Sequence, residues 1–66
     1  MIYFKIYCQS KKLKSETWIG IQALTIYEAI RQAYQICAPI GILVVEKSLQ
    51  EISFDEYICL PKTVHH

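Results

Sequence analysis

The sequence predicts a small α+β domain of order β-β-α-β-(β), one helix packed on one face of an antiparallel-dominated sheet. Three observations carry this expectation. Residues 2–9 and 16–23 alternate apolar and polar side chains with a period of two, as half-buried strands do. The stretch Leu24–Pro39 has the 3.6-residue period of an amphipathic helix. Residues 40–45, Ile-Gly-Ile-Leu-Val-Val, are apolar in both registers, as in a strand covered on both sides.

The first strand points Ile2, Phe4, Ile6 and Cys8 one way and Tyr3, Lys5, Tyr7 and Gln9 the other. Its β-branched and aromatic content suits a pleated, half-buried surface. The polar stretch Ser10-Lys11-Lys12-Leu13-Lys14-Ser15 is too long for a two-residue turn and is read as a basic hairpin tip. The second strand returns antiparallel with Thr17, Ile19, Ile21 and Ala23 inward and Trp18, Gly20 and Gln22 outward. Gly20 marks a bulge or a close approach of another group to the backbone.

The helix begins at Thr25, whose hydroxyl caps the first turn while Glu28 reaches back to the cap's own N–H. Ile26, Ala29, Ile30, Ala33, Ile36 and Cys37 form its core side, and Glu28, Arg31, Gln32 and Gln35 its wet side. Pro39 stops it. After such a crossover the third strand lies beside the first and parallel to the second, in the order 2-1-3 with a right-handed connection. Beyond it, Ser48-x-x-Glu51 and Ser53-x-x-Glu56 both match the capping-box pattern. The run Tyr57-Ile58-Cys59-Leu60 nevertheless suits a strand, and a fourth strand or extended segment is expected over residues 56–60. Residues 1–66 are read as one domain, with 61–66 as a flexible tail.

At 66 residues a chain buries only about 60% of the surface it exposes when unfolded. A composition that is 53% hydrophobic exceeds what one small core needs, so apolar surface is expected at an interface. A formal net charge of +1 gives no broad field toward nucleic acid or anionic lipid. Cys8, Cys37 and Cys59 are odd in number and lack C-x-x-C spacing, which fits reduced, core-filling thiols better than a disulfide framework or a metal site. The N-terminus alternates instead of offering a basic start and an apolar run, and the longest apolar run, 38–45, is far short of a membrane span. A cytoplasmic protein without a membrane partner is expected.

Catalysis finds little support. The only histidines are His65 and His66, so a serine or cysteine nucleophile lacks a general base in the body of the chain. Gly20 and Gly41 stand too far apart for a phosphate loop, and no cofactor or metal is expected. The outward set Tyr3, Lys5, Tyr7 and Trp18 is more suggestive, because no second layer is evident to cover it. Exposed tyrosine and tryptophan anchor protein interfaces, whereas their plain structural role is cross-strand pairing within the sheet. Tyr27, Arg31 and Tyr34 make a second candidate edge along the helix, unless they are simply the wet margin of the core. The acids Glu46, Glu51, Asp55 and Glu56 are read as solvated surface.

These features together point to a non-enzymatic protein-protein interaction module. It is expected to act as a small regulator or inhibitor on a larger protein, to self-associate as a homodimer through the aromatic sheet face, or both. The alternative is a small nucleic-acid-binding protein that stacks bases on those aromatics and grips phosphate with Lys11, Lys12 and Lys14.

Overall fold

The computed structural model of the chain describes residues 1–10 and 15–62. Two strands come first, β1 (Ile2–Ser10) and β2 (Ser15–Ala23), followed by the helix α1 (Ile26–Cys37) and a 3-10 turn over Ala38–Ile40. A third strand, β3 (Leu43–Ile52), and a short helix, α2 (Phe54–Cys59), complete it. The sheet has the order β2-β1-β3. β1 is antiparallel to both neighbours, so β3 runs parallel to β2 across the central strand, as the sequence predicts. Lys11, Lys12 and Lys14, which the sequence assigns to a hairpin tip, lie outside the described residues.

Alternation decides the core. Phe4, Ile6 and Cys8 of β1 and Ile19, Ile21 and Ala23 of β2 are buried on one face, where Ala29, Ala33 and Cys37 of α1 and Ile42 meet them. Ala29, Ala33 and Cys37 are four residues apart, so they form one small-residue stripe along which the helix lies close to the sheet. Ile6, Ile19 and Ile21 are the largest side chains fully withdrawn from water. Each contributes roughly 1.5–3 kcal/mol by burial, a large share in a domain of this size. Ile26 does not join them as expected and is 58% exposed. It precedes the buried stripe by a turn, at the end of the sheet where β2 has stopped.

Both ends of α1 are closed by local chemistry. The Glu28 N–H donates to the Thr25 hydroxyl at 3.1 Å. The Glu28 carboxylate accepts from the Leu24 N–H at 3.3 Å, one residue before the cap and not at the cap itself as expected. At the other end the chain passes Pro39 in a 3-10 turn and stops at Gly41, which has φ +73°. Gly41 N–H donates to Ala38 C=O and Ile42 N–H to Cys37 C=O, each at 3.0 Å. This is the paired bonding of a Schellman stop, and it turns Ile42 into the core.

Two elements depart from expectation. β3 starts later and runs seven residues further than the apolar run at 40–45, through the Ser48-x-x-Glu51 pattern that resembles a cap. It contains a bulge. Between the pairs Tyr7↔Val45 and Lys5↔Gln50, two steps along β1 match five along β3. The odd insertion reverses the facing of β3, so Val44 and Leu49 both pack against the core although an unbroken strand would place them on opposite sides. The Ser48 hydroxyl fills the gap in the ladder, accepting from Tyr7 N–H at 2.7 Å and donating to Val45 C=O at 2.5 Å.

The expected fourth strand at 56–60 is instead α2. Ser53 caps it by accepting from Glu56 N–H at 3.2 Å, and Asp55 and Glu56 in the first turn suit the positive end of the helix. The expected tail is held at its start, because the Pro61 carbonyl accepts from Gly20 N–H at 2.9 Å on the free edge of β2. Residues 63–66 lie outside the described residues.

Burial pushes the Cys8 thiol up from 9.0 to about 12, helped by the hydrogen bond with Cys37. The folded chain therefore keeps this proton longer than the unfolded chain does. Its contribution to stability is complete below pH 9.0 and is lost as pH rises toward about 12. Urea unfolding at increasing alkaline pH should show a stability loss whose slope is smaller in Cys8→Ala. Equal slopes in the two proteins would show that Cys8 is not the group responsible.

Candidate functional site

The outer face of the sheet is built from the residues that alternate away from α1. β1 contributes Tyr3, Lys5, Tyr7 and Gln9, and β2 contributes Glu16, Trp18, Gly20 and Gln22 opposite them. β3 adds Leu43, Val45, Gln50 and Ile52. Tyr3, Lys5, Tyr7 and Trp18 thus share one face, as their spacing predicts.

The face is not bare, which corrects the expectation that nothing in the chain covers it. α2 lies across one half, and Gly20 makes this possible. A Cβ at Gly20 would stand 3.0 Å from the Tyr57 ring and 3.3 Å from the Tyr57 carbonyl. Tyr57 therefore rests on bare backbone. From there its ring meets Tyr3 at 4.8 Å between centroids, and Phe54 meets Tyr3 at 5.2 Å. Lys62 closes over the other side of Tyr57 at 4.1 Å and donates to the carbonyls of Tyr57 at 2.5 Å and Leu60 at 2.6 Å.

Lys5 marks the border between the covered and open halves. Its ammonium pairs with Glu56 of α2 at 2.7 Å and lies over the Trp18 ring at 5.0 Å. A half-exposed pair of this kind is worth about 0–1 kcal/mol, so its main effect is to fix where α2 and Trp18 stand relative to each other. Beyond it, Tyr7 and Trp18 pack at 5.2 Å, and Leu43 and Val45 continue the apolar surface on β3. The Tyr7 hydroxyl donates to the Glu16 carboxylate. That bond, together with burial and the charge of Glu16, lifts the Tyr7 phenol above its ordinary value of 10.0.

Much apolar surface stays in water. Phe54 is 53%, Ile58 57% and Leu43 47% exposed. Phe54 and Ile58 are four residues apart on α2 and form its outer stripe. The alternation of the first two strands could not reveal Phe54, Tyr57 and Ile58. The signals that point to them are the capping pattern at Ser53 and the glycine in the middle of β2.

The second sequence candidate does not join this surface. Tyr27 and Arg31 are exposed on α1, on the other side of the sheet. Tyr34 sits beside Glu46, and burial, assisted by the charge of Glu46 and a hydrogen bond with it, raises its phenol above the ordinary value. An open, shallow depression along α1 is lined by Glu28, Arg31, Gln32, Gln35 and Ile36. Among the described residues no three histidine, cysteine or acidic side chains converge on a metal position. No helix among them is long and apolar enough to cross a membrane.

No family model, curated protein or solved structure matches the chain. The outer face combines packed aromatic rings at its centre, exposed apolar side chains around them, and charged groups that are already paired.

Gly20→Ala tests how this surface is assembled. The added methyl has to push Tyr57 and the α2 backbone away, and overpacking of this kind costs about 1–3 kcal/mol. Urea denaturation should show that loss, and the Tyr3 and Tyr57 ring resonances should shift together. An unchanged midpoint with unchanged spectra would mean that Tyr57 does not occupy the space above Gly20.

Proposed function

We propose that this chain is a non-enzymatic protein-protein interaction module. It docks a larger protein, or a second copy of itself, on the open half of its outer sheet face and the adjoining stripe of α2, and so acts as a small regulator or inhibitor. The observation that carries this reading is the exposure of Phe54, Ile58 and Leu43 around the packed rings of Tyr3, Tyr7 and Trp18. Aromatic anchors ringed by aliphatic surface are where interface energy concentrates. The charges within the area are compensated internally, Lys5 by Glu56, while Tyr7 holds Glu16. A partner covering them desolvates satisfied groups and not isolated ions.

Internal compensation also favours protein over nucleic acid. Base stacking needs open ring faces and free cations beside them. Here Lys5 is engaged by a carboxylate and by the Trp18 ring, Tyr3 is engaged by α2, and Glu16 and Glu56 would face phosphate with like charge.

Trp18→Glu places a charge in the middle of the open half. Sedimentation over a concentration series, together with affinity capture by the immobilised chain, compares it with wild type and with Tyr27→Glu on α1 as a control. The expected result is a dimer, or a retained protein, that wild type and the Tyr27 variant share. Trp18→Glu should weaken it by at least about 30-fold, the scale of a central anchor. No Trp18-dependent association of either kind would contradict the proposal. Salt-sensitive retention of nucleic acid that survives Trp18→Glu, but is lost when Lys11, Lys12 and Lys14 become alanine, would replace it with the alternative.

A further inference from the structure

Two of the three cysteines meet inside the core. Cys8 lies on the central strand and Cys37 is the last residue of α1, and both are buried free thiols. The Cys37 S–H donates to the Cys8 sulfur at 3.5 Å, and the Cys8 S–H points to the Ile6 carbonyl at 4.0 Å. A core that needed only two small apolar side chains here would be served by alanine or valine. Paired sulfurs add one capability that those residues lack. Cys59 is exposed on α2, on the opposite face of the sheet, and cannot reach either thiol in the folded chain.

We propose that Cys8 and Cys37 are a disulfide-forming pair, joined under a small-molecule disulfide oxidant of the glutathione class into a bond that staples the end of α1 to β1. A disulfide holds its sulfurs about 2.05 Å apart, so closure asks for a movement of roughly 1.5 Å shared between two side chains. The end of α1 is suited to supply it, since it passes directly into a 3-10 turn and the Gly41 stop instead of continuing as a rigid helix.

The chemistry is thiol–disulfide exchange in the unfolded chain, or in one whose α1 end has opened. One cysteine gives up its proton and, as thiolate, attacks a sulfur of the oxidant, forming a mixed disulfide and expelling one small thiolate. The second cysteine, deprotonated in turn, attacks the protein-bound sulfur and expels the other small thiolate. The expelled thiolates take up the two protons. Two electrons pass from the cysteines to the oxidant, and the protein loses two hydrogens. Refolding then encloses the bond in the core, where dissolved thiols reach it only through the same opening.

The test uses the full chain carrying Cys59→Ser, an exposed substitution that removes intermolecular coupling. It is unfolded and refolded in parallel with a reductant and with a mixture of oxidised and reduced glutathione. The oxidised product should lack two hydrogens by intact mass and yield a single linked peptide pair containing residues 8 and 37. Closing a 29-residue separation constrains the unfolded chain, so the melting midpoint should rise by roughly 10 °C or more above the reduced form. Two alkylatable thiols after oxidative refolding would overturn the proposal. So would glutathione adducts without the internal link, or a linked product that melts no higher than the reduced one.

Discussion

The placement of the Tyr57 ring on the bare backbone of Gly20 is the contact on which the second layer of this molecule depends. α2 has six residues, too few to be stable as a helix without tertiary support. It persists because Tyr57 has a seat from which Phe54 reaches Tyr3 and Glu56 reaches Lys5. The same seat brings Pro61 to the Gly20 N–H and Lys62 over the ring. One absent side chain on β2 thus determines how residues 53–62 are folded and how much of the outer sheet face they hide.

The chain treats its sheet edges and its sheet face differently. An exposed edge strand invites uncontrolled pairing, which bulges, charges and covering segments prevent. The β2 edge is met by the Pro61 carbonyl. The β3 edge carries a bulge together with Glu46, Lys47 and Glu51. The outer face has the opposite character. Lys5 is paired with Glu56 and Tyr7 with Glu16, while Leu43, Phe54 and Ile58 remain in water around a packed aromatic centre. Protected edges beside an apolar face favour association through side chains over strand addition, and this underlies the preference for a docking module.

Most of the scaffold was legible in the sequence because it follows simple periods. The alternation in residues 2–9 and 16–23 gave the hairpin, its inward set and the shared face of Tyr3, Lys5, Tyr7 and Trp18. The Thr25 cap and the Ala29, Ala33, Cys37 stripe gave α1. β3 beyond Val45 was hidden because its bulge reverses the facing of the side chains, so no single period runs through it. α2 was misread because Tyr57, Ile58 and Leu60 favour strands locally, whereas the partner that selects a helix, Gly20, is more than half the chain away. Coverage of the site was lost with it. The positions of the aromatics could be read from the sequence, but their engagement by Phe54, Tyr57 and Glu56 could not, since it arises from contacts between distant segments.

A nuclear Overhauser spectrum of the wild-type chain tests the central contact most directly. The structure predicts cross-peaks from the Tyr57 ring protons to the α-protons of Gly20 and to the ring of Tyr3, with sequential amide contacts of a helix across residues 54–59. Strand-type contacts over residues 56–60, with no Tyr57 to Gly20 peak, would contradict the account and leave the outer face of the sheet without its second layer.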